Sequence, residues 1–490
     1  MTVYLVGAGP GDPALLTVRG AELLRRAEVV VYDRLSAREL LDLAPAGALR
    51  LDVGKQPGGG PSTPQEEINA LLVEHGLAGR TVVRLKGGDP YVFARGAEEA
   101  AALATAGVDY EVVPGITSAV AVPAAAGIPV TLRYSSTSLT VVTGHEDPTK
   151  DHTDVDWEAL ARLRGTLVIL MGVAHLPEIT RRLLAGGLPP DTPAAAVRWG
   201  TRPDQETVRA TLGTLHEHRL RAPATIVVGE VARQRLDWFE RRPLFGRRVV
   251  VTRTRTQAGV LSARLRELGA AVEEVPVIRV EDPVDGGAAL ARAVAAVGSY
   301  DWVVLTSPNG AARFCAGLRD GRDLAGVRLA AIGPGTAQVL AEHHLVADLV
   351  PERYVAEGLL EAFADPPGTG GRVLLARAAV ARDVLPEGLR SRGWGVDVVP
   401  AYRTVPVELD EADVRRIAAS DVVTFTSSST VEHLVAAVGP DAVPPVVACI
   451  GPVTAATARE LGLAVTVEAP VHTVDGLVDA LVGHLAPEPS

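Results

Sequence analysis

The first residues in this chain that could do chemistry are three glycines, Gly7, Gly9 and Gly11, which close a short β-branched run and lead into Asp12. Glycines at a strand end let a ligand approach the backbone closely. The run reads G-x-G-P-G-D and not G-x-G-x-x-G: Pro10 has no N–H to offer a phosphate, and Asp12 repels one. The pattern points to an adenosine-like ligand without phosphates, and S-adenosylmethionine fits, because it carries a sulfonium cation where a nucleotide carries pyrophosphate. A second such place follows the apolar run Thr81–Leu85, where Lys86, Gly87, Gly88, Asp89 and Pro90 stand in succession. A carboxylate after two glycines can accept hydrogen bonds from a ribose or an ammonium group. Of 48 basic residues only Lys55, Lys86 and Lys150 are lysines. Burial tunes a lysine to hold or release a proton, as it does not an arginine, so the lysines beside glycine motifs are candidates for chemistry. For Lys55 the competing reading is an ordinary surface residue.

These residues need a frame of strands and helices. Val3–Val6 reads as a strand, Thr17–Ala27 as a helix and Val29–Tyr32 as a second strand with Asp33 at its carboxyl end. Leu51–Gly54 is a short strand running into Lys55 and a Gly- and Pro-rich loop, Gln56–Pro64. Thr63, Pro64 and Glu66 form a capping box with proline at the first helical position, opening a helix that carries Ile68, Leu71 and Leu72 inward. Tyr110–Val113 is a strand ended by Pro114 and Gly115, and Thr117 and Ser118 open a helix of small residues. Leu167–Leu170 ends at Met171, the one methionine besides Met1, and Ala194–Val197 leads to Trp199-Gly200-Thr201. Ala224–Val228 is the last strand before Pro243, where the pattern breaks.

Composition sets the class. With 490 residues, 47% of them hydrophobic and 22% charged, a soluble protein of several compact units is expected. The apolar runs are too short or too interrupted to span a bilayer and no basic segment precedes the first glycines, so a cytoplasmic location is expected. Cys315 and Cys449 stand far apart without partner motifs, which indicates two buried hydrophobes and neither a disulfide framework nor a metal site. A formal charge of −11 argues against a nucleic-acid partner.

The second half repeats itself. WVVLTSPNGAARF (302–314) parallels VVTFTSSSTVEHL (422–434), and AAIGPGTAQVLAEHHL parallels ACIGPVTAATARELGL. Each copy reads as strand, hydroxyl-rich loop, helix, strand, Ile-Gly-Pro and helix, which indicates two similar parallel-sheet lobes. Two further matching pieces, VPVIRVED and VPAYRTVPV, read as paired strands crossing between the lobes and make the first lobe discontinuous.

GAGPGDPALLTVRGAELLRRAEVVVYDRL, with VGK, PQEEIN and VVRLKGGDP downstream, resembles the uroporphyrinogen-III C-methyltransferases of the tetrapyrrole methylase family over roughly the first half of the chain. The second half, from about Gly246, resembles the uroporphyrinogen-III synthases through VTRTR, LTSPNG, IGPGTA, PAYRT and IGPVTA. The resemblance implies an α/β chain: a two-subdomain tetrapyrrole methylase-type half over 1–243, then a two-lobed flavodoxin-like half over 246–490. Lobe 1 is expected at about 246–280 and 404–490, and lobe 2 at about 284–400. It further implies methylation of uroporphyrinogen III at C2 and C7 to precorrin-2, with S-adenosylmethionine as donor. The donor contacts carried over are Pro10, Gly87, Gly88, Asp89, Val92, Thr117, Ser118, Met171 and Gly200. Family members usually have Thr-Ala where this chain has Thr117-Ser118.

Asp33 is the implied base and Lys55 the implied acid, since methyl transfer to a pyrrole carbon needs a polarised ring and a group to take the proton left behind. The synthase half is implied to close linear hydroxymethylbilane with inversion of its last ring, in competition with spontaneous closure to isomer I. There the family's cleft tyrosine matches Tyr402, and Arg253, Ser307, Thr336, Ser427 and Thr454 are the expected cleft donors. For each hydroxyl the competing reading is a helix cap. A homodimer through the first half is expected, with neither metal nor membrane. Two rival readings stay open: a methylase of other specificity, and a second half that is a non-catalytic two-lobed ligand sensor. The chain carries no dehydrogenase or ferrochelatase segment that would direct the product to sirohaem or to cobalamin.

Overall fold

A computed structural model of the chain describes residues 2–33, 38–54, 63–145, 154–253, 255–366, 368 and 370–485. The chain divides into two compact units, Met1–Gly246 and Arg247–Ser490.

The first unit holds two five-stranded sheets. Strands β1 (Val3–Gly7), β2 (Val29–Tyr32), β3 (Leu49–Asp52), β4 (Val82–Lys86) and β5 (Tyr110–Val113) form a parallel sheet in the order β3-β2-β4-β1-β5. A parallel sheet is covered on both faces, so its strands read as nearly continuous apolar runs. Val3, Leu5, Val29, Val31 and Val82 face one core with Ile68, Leu72 and Leu103, while Val6, Val30, Val83 and Leu85 face another with Leu23 and Leu24. Helix α1 (Val18–Leu24) starts where the Thr17 hydroxyl accepts a bond from the Gly20 N–H at 3.1 Å. Helix α2 (Gln65–Leu77) departs from expectation. Pro64 is its N-cap and no side chain caps it, so Thr63 and Glu66 form no capping box; the carbonyl of Pro64 takes the N–H groups of Glu67 and Ile68. Proline occupies the cap position itself, at ψ 147°, and has no side-chain acceptor to offer, while Thr63 stands one residue too early to cap.

Helices α3 (Gly96–Thr105) and α4 (Ser118–Ala125) follow β4 and β5. The second sheet, in the order β6-β7-β10-β8-β9, contains β6 (Leu139–Thr143), β7 (Thr166–Leu170), β8 (Pro193–Arg198), β9 (Glu206–Thr211) and β10 (Ala224–Val228). After β10 the chain straps back over the C-terminal end of α4. Trp238 Nε1 donates to the Ala124 carbonyl at 2.9 Å, the Leu236 N–H to Gly127, and Arg209 ties Ala126, Gln234 and Asp237 together. Phe239 and Leu244 are buried.

The second unit also has two five-stranded sheets. One is parallel, in the order β12-β11-β18-β19-β20, from β11 (Arg248–Val251), β12 (Ala271–Glu274), β18 (Val422–Phe425), β19 (Val446–Cys449) and β20 (Val465–Glu468). The other is ordered β13-β17-β16-β14-β15, from β13 (Ile278–Glu281), β14 (Trp302–Leu305), β15 (Arg328–Ala331), β16 (Arg372–Ala378) and β17 (Gly395–Pro406). The chain leaves the first of these sheets after β12 and returns at β18, so that lobe is discontinuous. The two crossing pieces pair antiparallel, Ile278 with Pro406 through Glu281 with Arg403, and Glu281 takes ion pairs from Arg279 and Arg403, each at 2.7 Å. Cys315 and Cys449 are buried free thiols, and burial pushes them up to about 11 and about 12, so both stay protonated and unreactive at neutral pH. Among the described residues no helix is long and apolar enough to cross a membrane, and no group of His, Cys, Asp and Glu could hold a metal ion.

Candidate active sites

In the first unit the strand ends converge backbone on backbone. A Cβ placed on Gly7 would lie 2.5 Å from Gly115 Cα, and one on Gly115 would lie 2.2 Å from the Gly88 carbonyl oxygen. Gly9 and Gly88 exchange backbone hydrogen bonds of 3.2 and 2.8 Å. The space that Gly7 opens is therefore filled by the β5 loop and not by a ligand. A Cβ on Gly11, at φ +153°, would lie 2.8 Å from the Arg202 side chain, and one on Gly200 would lie 2.3 Å from Val122. Of Gly7, Gly9, Gly11, Gly88, Gly115 and Gly200, Gly88, at φ +69°, is the one that faces space: the nearest atoms to a Cβ placed on it are Thr117 Cα at 3.9 Å and Ser118 N at 4.0 Å. Gly115→Ala should accordingly lower the melting temperature by several degrees, since overpacking here meets rigid backbone and costs about 1–3 kcal/mol or more. It should also weaken ligand binding at the Gly88 loop; thermal denaturation and calorimetry check both, and an unchanged melting temperature would contradict the packing.

Asp89 is a staple. One oxygen accepts from the Tyr91 N–H at 2.8 Å and the other from Gly115 N–H at 3.0 Å, fixing the β4 and β5 loops to each other. Thr117 is the N-cap of α4, accepting from Ala119 N at 3.3 Å, so α4 starts beside Gly88. From the other sheet come Met171, left-handed at φ +57° and 48% exposed, and the Trp199–Thr201 turn, whose Thr201 hydroxyl takes the Asp12 N–H at 3.1 Å. Trp199 and Thr201 are also left-handed, at φ +48° and +69°. Such backbone persists only where the surroundings enforce it, and it gathers at ligand sites. Among the described residues the cradle thus offers small residues, backbone groups, a carboxylate and a methionine, and the cation against Gly11, Arg202, is paired with Asp204 at 3.0 Å. That chemistry suits a cationic adenosyl ligand. Pro10 and Val92 lie in the same loops, after β1 and β4 respectively.

Asp33 follows β2, and its carboxylate, 30% exposed, accepts from Arg84 at 2.7 Å. Arg84 is 2% exposed and also meets Glu99, fully buried on α3, at 3.0 Å; Lys86, 2% exposed, meets the same Glu99 oxygen at 2.7 Å. Burial, then the charge of Arg84, pushes the Lys86 ammonium below its ordinary range, with Glu99 opposing. Sequence reasoning did not assign Arg84 or Glu99; the signal was the alternation in VVRLK, which sets two cations on one face of the sheet's central strand. Lys55, with its loop, lies outside the described residues.

In the second unit Arg253 follows β11, half-buried, and no carboxylate among the described residues pairs with it. Burial pushes its guanidinium below its ordinary range, and no charge offsets the shift. An arginine remains protonated regardless, so Arg253 is a partly desolvated cation with no carboxylate paired to it among the described residues. Ser307 caps the helix Pro308–Gly317, accepting from Gly310 N at 3.1 Å, so its competing reading as a helix cap is realised. Ser427 starts the helix Ser428–Val438 at the equivalent place, its hydroxyl 3.1 Å from that of Ser429. Thr336 and Thr454, 2% and 5% exposed, sit in the first turns of Pro334–Glu342 and Pro452–Glu460. The helices bearing Ser427 and Thr454 touch, Thr457 donating to Ser428 at 2.8 Å. Tyr402 is 8% exposed and packs with Val303, Leu305, Phe314 and Ala376, so its ring belongs to the core of its lobe.

Comparison with known proteins gives the following. The model of tetrapyrrole (corrin/porphyrin) methylases matches residues 2–216, and that of uroporphyrinogen-III synthase HemD matches residues 259–479. The porphyrin biosynthesis protein HemD of Ruminiclostridium josui is 40% identical over 494 residues, covering 98% of this chain and 97% of that protein. An S-adenosyl-L-methionine-dependent uroporphyrinogen III methyltransferase of Methanosarcina barkeri is 53% identical over 236 residues, 47% of this chain and 91% of its own length. Among solved structures, uroporphyrin-III C-methyl transferase from Thermus thermophilus complexed with S-adenyl homocysteine is 42% identical with a TM-score of 0.42, covering 48% of this chain and 99% of that one.

Proposed function

We propose, from the premise that this chain belongs to the tetrapyrrole methylase family in its first half and to the uroporphyrinogen-III synthase family in its second, that it makes uroporphyrinogen III and then methylates it. The synthase half would close hydroxymethylbilane, and the methylase half would carry the product through two methylations, at C2 and C7, to precorrin-2. The observation that supports the methylase reading is the cradle of small residues and backbone groups around Gly88, with the Asp33–Arg84 pair at the adjacent strand end.

S-adenosylmethionine supplies the methyl group. Gly87, Gly88, Asp89, Val92, Thr117, Ser118, Met171, Gly200 and Pro10 are the residues assigned to hold it, mainly through backbone groups. Asp33 takes the proton that the macrocycle sheds, and Lys55 is assigned the acid. The tetrapyrrole carries eight carboxylates, which in the second unit call for donors such as Arg253. A homodimer through the first unit is part of the reading; Tyr91, Phe93, Ile116 and Val120 of that unit are large apolar side chains standing in solvent. The protein acts in the cytoplasm.

Calorimetry of the full chain with S-adenosylmethionine, followed by mass spectrometry of the product from uroporphyrinogen III, tests the methylase. Saturable binding and a doubly methylated product are expected. Methylation of another tetrapyrrole alone would sink the assignment.

A further inference from the structure

In the Asp33 network Arg84, Lys86 and Glu99 are all shut away from solvent, which is an unfavourable arrangement to maintain for stability alone. Val82, Arg84 and Lys86 share one face of β4, and Val82 shows that an apolar residue is accommodated on that face. Burying ions costs more than their attraction commonly returns, and apolar replacements of similar volume are often neutral or better. Here the cost is raised further. Glu99 Oε1 accepts from Arg84 Nε at 3.0 Å, Lys86 Nζ at 2.7 Å and Gln65 Nε2 at 3.4 Å, while Oε2 is buried without a partner among the described residues.

The geometry says what the arrangement achieves. A guanidinium is a rigid planar fork, so fixing Nε fixes the direction of its other nitrogens. Glu99 holds the Nε edge of Arg84. The far nitrogen then reaches Asp33 at 2.7 Å, and the third is turned to the Val31 and Leu85 carbonyls at 3.5 and 3.4 Å. Lys86 balances the Glu99 charge, leaving one cation for Asp33. Two cations and two carboxylates make a neutral set, and loss of Glu99 alone would leave two buried cations against one carboxylate.

We propose that Glu99 and Lys86 are a positioning pair for methyl transfer: through Arg84 they set the direction of the Asp33 carboxylate toward the tetrapyrrole. The inference rests on the methylase reading given above. Neither residue touches donor or substrate, and neither exchanges a proton in the reaction.

The test uses two electrically balanced double variants of the full chain. In Glu99→Leu with Lys86→Met, Arg84 loses its anchor; in Glu99→Gln with Lys86→Met, the amide oxygen still holds Nε. The leucine variant should keep its melting temperature and its calorimetric affinity for S-adenosylmethionine, yet lose about 100-fold in kcat with little change in KM for uroporphyrinogen III. The glutamine variant should recover most of that loss. Glu99→Asp, which keeps the charge and shortens the arm, should fold and also lose kcat, and it serves if the leucine variant does not fold. Equal turnover in the leucine and glutamine variants, wild-type turnover in Glu99→Asp, or a loss of donor affinity in step with turnover would overturn the proposal. The unaltered chain run in parallel reports separately on the methylase reading, because its failure to methylate uroporphyrinogen III would show before any variant is compared.

Discussion

Asp33→Asn lowers the turnover of methyl transfer by roughly two to four orders of magnitude and leaves the affinity for S-adenosylmethionine essentially unchanged. The substitution keeps the shape of the side chain and an oxygen for the bond from Arg84, and it removes the basicity together with the negative charge. The site geometry keeps the two readouts apart. Asp33 stands past the end of β2, whereas the cradle around Gly88 is built from the ends of β4 and β5 and from the second sheet, so no donor contact runs through Asp33. The variant leaves Arg84 and Lys86 to share Glu99, at some cost in stability, and a melting curve checks that the fold survives. Single-turnover methylation followed by mass spectrometry gives the rate, and calorimetry gives the affinity. Near-normal turnover would remove Asp33 from the mechanism. A parallel loss of donor affinity would instead make it a ligand of the donor.

How much of this was readable in the residues alone depends on the distance over which each decision is made. Strands such as Tyr110–Val113 and Ala224–Val228 declare themselves because burial and β-branching are local, and the Thr17 cap is read from its own helix. Gly7 is different. A glycine at a strand end states that something comes close but not what, and here it is Gly115, carried in by a strand much later in the chain. Adjacent glutamates make the same point more sharply. Glu98 pairs with Arg95 in solvent, while Glu99, the next residue in the same run, is fully buried under two cations. Nothing in GAEEAAAL distinguishes them; the roll of α3 against β4 does. The capping box at Thr63 failed for a local reason, because proline takes the cap position and leaves the hydroxyl before it one residue short of the helix. In the second unit the repeat located both lobes, and it also gave the hydroxyl residues their ambiguity, since Ser307 performs the cap that any serine there could perform.

In the second unit, Arg253→Met is expected to reduce kcat/KM for hydroxymethylbilane by about one to two orders of magnitude, because a charge-assisted bond to a carboxylate is worth about 1.5–3 kcal/mol. The motive is that Arg253 is desolvated with no charge on the described residues to answer it, a state that is unfavourable unless an anion arrives. Methionine keeps the apolar stem, so folding should hold. Tyr402→Phe should do less, slowing closure without abolishing it, since the ring lies in the core of its lobe and only its hydroxyl is removed. Arg279→Pro should do more, because Arg279 stands opposite Val405 in the short antiparallel ladder, where proline cannot donate. This ranking follows if catalysis is mainly the curling of a flexible polyanion so that its ends meet, with positioning supplying the rate and no single side chain indispensable. The product itself reports the outcome. Spontaneous closure yields isomer I and the enzyme isomer III, so the ratio of III to I falls in step with each loss. A wild-type chain that leaves the ratio at its uncatalysed value would mean that the bare arginine serves a sensor, and that the two lobes bind an anionic ligand without converting it.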